Sequence, residues 1–121
     1  MTTTHVATAT EVEAKLEELI GRLARDQGAA EELGRSLPDR RLLSVHVTDL
    51  DADWWTTLFG GRMAELHRGP VDDADIRVRA ASDDLVSLID GKGSLFSAYL
   101  AGRIRIEASF SDLIRLRRIA S

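Results

Sequence analysis

The chain has 121 residues, enough for one domain with one core, and 44% of them are hydrophobic and 30% charged. A net charge of −4 argues against a protein dedicated to nucleic acid. The absence of cysteine excludes disulfides, thiolate metal sites and a cysteine nucleophile, and the longest uncharged apolar run, Gly93 to Gly102, is half of what a bilayer span requires.

The first stretch, MTTTHVATAT, lacks the basic start and apolar run of a signal peptide, so a cytoplasmic, soluble chain without integral membrane association is expected. Residues 1–9 form a Thr/Ala tail without periodicity and are read as disordered, with a single domain over 10–121. Thr10 followed by Glu13 is a capping box, and Val12, Leu16, Leu19, Ile20 and Leu23 follow at helical spacing. Glu11 with Lys15 and Glu18 with Arg22 are i,i+4 pairs in the favourable order. Gly28 is the expected stop, and a short helix from Ala29 to Leu33 ends before Pro38. This amphipathic segment, residues 10–34, is expected to dock on its own sheet. Its glutamates and its lack of an aromatic anchor argue against lying on a membrane.

Three strands come next. Arg41 to Thr48 alternates Leu43, Val45 and Val47 against Ser44, His46 and Thr48. Trp54 to Phe59 is β-branched and aromatic and ends in Gly60-Gly61, a hairpin signal. Arg62 to Arg68 reads as the third strand, and the short turns predict an antiparallel meander. From Asp75 the chain reads strand, helix, helix, strand, helix. Ile76, Val78 and Ala80 alternate with Asp75, Arg77 and Arg79, and Ile104, Ile106 and Ala108 alternate with Arg103, Arg105 and Glu107. Trp54 and Trp55 are adjacent in a strand and must point to opposite faces.

Several motifs fail on inspection. Asp49, Asp51 and Asp53 have the spacing of the first ligands of a calcium loop, but Trp54 stands at the glycine position and Gly60 at the bidentate glutamate position. The carboxylates are read as turn residues, with no metal site. Gly91-Lys92-Gly93-Ser94 lacks both the leading glycine and the hydroxyl residue of a phosphate loop, so Gly91 is read as a helix stop and Ser94 as the next cap. His5, His46 and His67 have no carboxylate or serine at diagnostic spacing, so no catalytic residue is assigned and no enzyme is expected. Arg77, Arg79, Arg103 and Arg105 are read as a solvated sheet face, without the interleaved aromatics of a nucleic-acid platform.

The order of elements, and the progression Asp84-Leu85, Leu88, Gly91-Lys92, Ala98 and Gly102-Arg103-Ile104-Arg105-Ile106, resemble the sterol-carrier-protein (non-specific lipid-transfer) domain over residues 39–119. The chain departs from that pattern at Ala108, where the family usually has glycine, and at Ser94, where a proline is common. It ends Ile119-Ala120-Ser121 without a peroxisomal Ser-Lys-Leu, which fits a bacterial-type member. The resemblance implies an α+β fold, one five-stranded mixed β-sheet with helices packed mainly on one face. It also implies carriage of a hydrophobic small molecule or lipid (a sterol, fatty acid or acyl lipid) in an apolar tunnel, with no cofactor and no chemistry. The tunnel residues it points to are Val78, Leu85, Leu88, Ile89, Phe96 and Tyr99, continued by Leu100, Ile106, Leu113, Leu116 and Ile119. Tyr99 is the lining residue whose polar tip can meet a head group. The alternative is an accessory module with a collapsed cavity, forming a homodimer through the first helix or the second tryptophan.

Overall fold

The computed structural model describes residues 7–120, and the side chains of residues 7–118. His5 therefore lies outside the described residues. Helix α1 spans Ala9–Arg25, and its cap lies two residues ahead of the predicted one. Thr8 is the cap, its hydroxyl accepting from the Glu11 amide at 3.2 Å, so the pair Thr8/Glu11 takes the place of Thr10/Glu13. Ala7, assigned to the tail by sequence, is buried in the core. The chain breaks at Asp26, whose carboxylate accepts from the Ala29 amide and opens α2 (Gln27–Ser36), a longer helix than the sequence predicts. The cations of α1 turn to α3 (Ser82–Ile89) rather than only along their own helix. Lys15 Nζ meets Asp90 at 2.5 Å and Arg22 donates to the Ile89 carbonyl, so both sit at the negative end of that helix.

The sheet is mixed and, among the described residues, holds six strands, β1 (Arg41–Val47), β2 (Ala52–Phe59), β3 (Arg62–Met63), β4 (His67–Arg68), β5 (Ile76–Ala80) and β6 (Ile104–Glu107). The sixth strand arises because the predicted run Arg62 to Arg68 is interrupted. Leu58 pairs with Met63 but Trp55 pairs with His67, a one-residue slip that makes a bulge between β3 and β4. Thr56 Oγ1 donates to the Ala64 carbonyl at 2.9 Å and satisfies part of the bulged backbone. The meander holds from β1 to β4 and fails at β5. That strand lies beside β1, parallel to it, giving the order β3-β2-β1-β5-β6 with β4 also on β2. The physical reason is a pin at the start of both strands. The Asp75 amide donates to the Leu42 carbonyl at 2.8 Å, and the Leu42 amide donates to the Asp75 carboxylate at 2.7 Å.

The Gly60-Gly61 hairpin turns with φ of 60° and 81°, the pair of positive values that a two-residue turn of this kind needs. Gly61 is also a steric necessity, because a Cβ there would lie 1.8 Å from the Ala30 carbonyl oxygen of α2. Gly61→Ala is expected to destabilise the protein by about 2 kcal/mol or more, from backbone strain plus displacement of α2. A denaturation midpoint equal to that of the native chain would refute this contact.

Among the described residues all five helices, α4 (Leu95–Leu100) and α5 (Phe110–Ala120) included, serve a core on one face of the sheet. The core has two parts. Val12, Leu16, Val47, Trp54, Leu85, Ile89 and Ile104 form the larger cluster under α1, α3 and α4. Leu37, Leu58 and Ile76, with Leu33 and Leu116 against them, form the smaller cluster toward α2 and α5. Val78 and Ile106 belong to the margin of both. The helical layer thus parts into two groups above a sheet that is continuous beneath them.

Candidate functional site

That parting places an apolar groove at the β6 edge. Alternation sends Ile106 to the dry face as the groove floor, between α4 and α5. Leu95, Phe96 and Tyr99 form one wall; Phe110, Leu113 and Ile114 with Leu116 and Arg117 form the other. The space is about 250 Å³. Ser94 fixes the start of the α4 wall, its hydroxyl accepting from the Ser97 amide at 3.0 Å, as the sequence predicts. The Arg117 guanidinium stands over the Phe96 ring, 5.5 Å from its centroid, and links the two walls across the space.

The α5 wall is held by a buried ion pair. Arg41 of β1 donates through Nε and Nη2 to the two carboxylate oxygens of Asp112, at 2.9 and 3.1 Å, with side chains 14% and 6% exposed. Arg41's paired donors hold the Asp112 carboxyl below the usual carboxylate range, against the opposing effect of burial. Asp49 is held low as well. Burial works to raise it, but the side chain and amide of Ser82 together outweigh that. Its carboxylate accepts from the Ser82 amide at 2.8 Å and hydroxyl at 2.6 Å, capping α3 from the β1–β2 turn. Asp53 meets His46, Oδ1 to Nδ1, at 2.9 Å on the open sheet face. Two of the three carboxylates of the calcium-like spacing are therefore engaged with separate partners. Among the described residues, no group of three or more His, Asp or Glu side chains stands where it could hold a metal ion.

The groove brings together Phe96, Tyr99, Ile106, Leu113 and Leu116 of the residues expected to line a tunnel. The others lie elsewhere. Leu85 and Ile89 are buried in the larger cluster, and Val78 and Leu88 pack against it. Leu100 projects outward, 68% exposed, and the Ile119 side chain lies outside the described residues. Sequence reasoning missed Leu95, Phe110, Ile114 and Arg117. Three of these, with Leu113, fall at i, i+3, i+4 and i+7 along α5, so the stripe was present in the chain. A larger cleft of about 520 Å³ lies by α1, α2 and β3, but Arg25, Gln27 and Arg62 interrupt its apolar lining.

The two features offered for dimer contact are occupied or small. Val12 and Leu16 of α1 are buried on the protein's own core, leaving Leu19 at 38% exposure. Trp54 is fully buried, and Trp55 stacks on His67 across the strands, with centroids 4.2 Å apart. Among the described residues, no helix is long and apolar enough to cross a membrane.

The model of the SCP-2 sterol transfer family matches residues 16–120. No curated protein matches the chain. Among solved structures, a conserved hypothetical protein of Thermus thermophilus, considered there as a sterol carrier protein, is 14% identical, covering 98% of this chain and 88% of its own, with a TM-score of 0.66. Palmitated SCP2L2 of Aedes aegypti is 14% identical, with 89% and 92% covered and a TM-score of 0.61. The sec-alkylsulfatase Pisa1 of Pseudomonas sp. is 18% identical over 76% of this chain, with a TM-score of 0.56, and the chain spans 14% of its length. At these identities the likenesses concern the fold.

Proposed function

The chain belongs to the SCP-2 sterol transfer family, and we propose that it carries a single-chain lipid, a fatty acid or acyl lipid, in the groove between α4 and α5, without catalysis. The observation that carries this reading is an apolar space walled by two helices and floored by Ile106, with one cation, Arg117, and one phenol, Tyr99, in its lining. The tail lies over Ile106 between Phe96 and Leu113. A carboxylate or ester head group meets Arg117 and the Tyr99 hydroxyl. Affinity comes from the tail, since each methylene removed from water is worth about 0.8 kcal/mol.

The groove is slightly smaller than the roughly 300–1,000 Å³ of ordinary ligand sites. A long chain therefore fills the space and extends past the exposed Phe110 and Ile114 at its edge. Titration with a fluorescent fatty acid is expected to show saturable uptake at one site. Leu113→Trp, which fills the groove with apolar bulk, excludes about two methylenes and weakens uptake about tenfold. Uptake that does not saturate, or that is unchanged in Leu113→Trp, would overturn the assignment.

A further inference from the structure

We infer that the open face of the sheet is a docking surface for an acidic segment of a protein partner, held at a pair of arginines that the fold leaves uncompensated. This face lies across the sheet from the groove, so its role does not depend on lipid carriage. The core occupies one side of the sheet, and alternation sends His46, Trp55, Arg77, Arg79, Arg105 and Glu107 to the other.

Register sets these side chains in rows. In one row Arg77 stands opposite Glu107, so cation meets anion. In the next, Arg79 stands opposite Arg105, and His46 continues the row on β1. Like charges directly opposite in an antiparallel pair destabilise it. Among the described residues, neither guanidinium makes an ion pair that would offset this repulsion. The carboxylate at the end of the row, Asp53, is taken by His46 at 2.9 Å, and Asp51 approaches the same ring at 3.9 Å. Protection of a sheet edge accounts for Arg105 on the edge strand β6, but not for Arg79 on the interior strand β5. A conflict kept within an otherwise consistent sheet marks a functional position.

The surroundings decide what the pair meets. Both arginines are exposed on a flat face, outside the groove and the cleft by α2, which suits a macromolecule better than a small anion. Planar guanidinium forks on neighbouring strands match adjacent carboxylates. The Trp55–His67 stack and Phe59, which is 64% exposed, offer apolar contact on the same face. A net charge of −4 works against nucleic acid, whose affinity comes from many phosphate contacts. A second copy placed face to face would set Arg79 and Arg105 against themselves.

Fluorescence anisotropy of a labelled glutamate-rich peptide, titrated with the full chain, tests this. Saturable binding at low salt is expected, weakening as salt is raised. In Arg79→Glu, stability and binding should move apart. The new carboxylate faces Arg105, so the denaturation midpoint should equal or exceed that of the native chain, while peptide affinity falls about tenfold or more. Arg105→Glu should behave alike, and both variants should take up the fluorescent fatty acid as the native chain does. Native protein that ignores the peptide would overturn the inference, as would undiminished binding by Arg79→Glu. So would a midpoint well below the native one, because the arginine pair would then carry no unresolved repulsion. Equal or tighter binding of a labelled oligothymidine would assign the face to nucleic acid instead. Native self-association dispersed by Arg79→Glu would assign it to a second copy.

Discussion

Asp112→Ala is expected to destabilise the protein by about 3–5 kcal/mol, the range for removing one partner of a buried ion pair. The cost arises from what is left behind. Arg41 would remain under α5 with its side chain 14% exposed and two donors unpaired, in a site with little water to replace the carboxylate. The same substitution frees the first turn of α5, where the Asp112 amide donates to Ser109 Oγ at 3.1 Å and Arg115 approaches the carboxylate at 3.5 Å. Fatty-acid uptake should fall with stability, since α5 is one of the two groove walls. A control separates the pair from the packing: Arg41→Leu/Asp112→Leu removes both charges and should recover much of the loss. If Asp112→Ala costs under about 1 kcal/mol in urea denaturation, the pair does not hold the α5 wall. The pH dependence has a definite sign. The folded pKa of Asp112 lies below its unfolded value near 3.9, so its contribution is fully present above about pH 5. It is lost as pH falls through the folded pKa. Asp49, held low by Ser82, adds a loss in the same direction. The native chain should therefore weaken below about pH 4, and Asp112→Ala should show a shallower acid limb.

Most local signals were legible, the cap at Thr10 and the stop at Gly28 excepted, and the long-range ones were not. The alternation of Leu43, Val45 and Val47, the Gly60-Gly61 turn and the Ser94 cap depend on neighbours in the chain, and the structure has each of them. The parallel seat of β5 depends on Asp75 reaching Leu42, thirty-three positions away, which no periodicity encodes. The bulge between β3 and β4 was hidden for a related reason, since a one-residue slip leaves the composition of a strand unchanged. The family-like progression carried the fold because it spans those distant elements together. The groove was half legible. Leu85 and Ile89 are as apolar as Phe96 and Leu113, and α1 decides between them by packing on the first pair. Phe110, Ile114 and Arg117 share a helical stripe with Leu113, but Leu113, Leu116 and Ile119 form a competing one, and only the position of α4 separates the two.

The adjacent tryptophans should give very different results when truncated. Trp54→Ala is expected to cost about 3–5 kcal/mol, and Trp55→Ala only about 1. Trp54 is the largest fully buried side chain, set among Val12, Leu16, Val47 and Ile104 in the larger cluster. Its removal leaves a cavity in the centre of the larger cluster, beneath α1. It also deprives Glu13 of the indole Nε1 donor at 2.9 Å, a hydrogen bond that ties α1 to β2, and Arg68 of the ring beneath its guanidinium, 5.6 Å from the centroid. Trp55 lies one residue on and therefore on the open face, where its loss removes the stack on His67 and little else. A small domain is stable by about 5–15 kcal/mol, so Trp54→Ala leaves a protein close to unfolding while Trp55→Ala leaves it folded. Trp54→Phe keeps most of the apolar area and loses the Glu13 bond, and it should fall between them at about 1–2 kcal/mol. Equal midpoints for Trp54→Ala and Trp55→Ala in chemical denaturation would show that the sheet does not present these faces. Since the same alternation places Ile106 on the groove floor, that result would remove the groove as well.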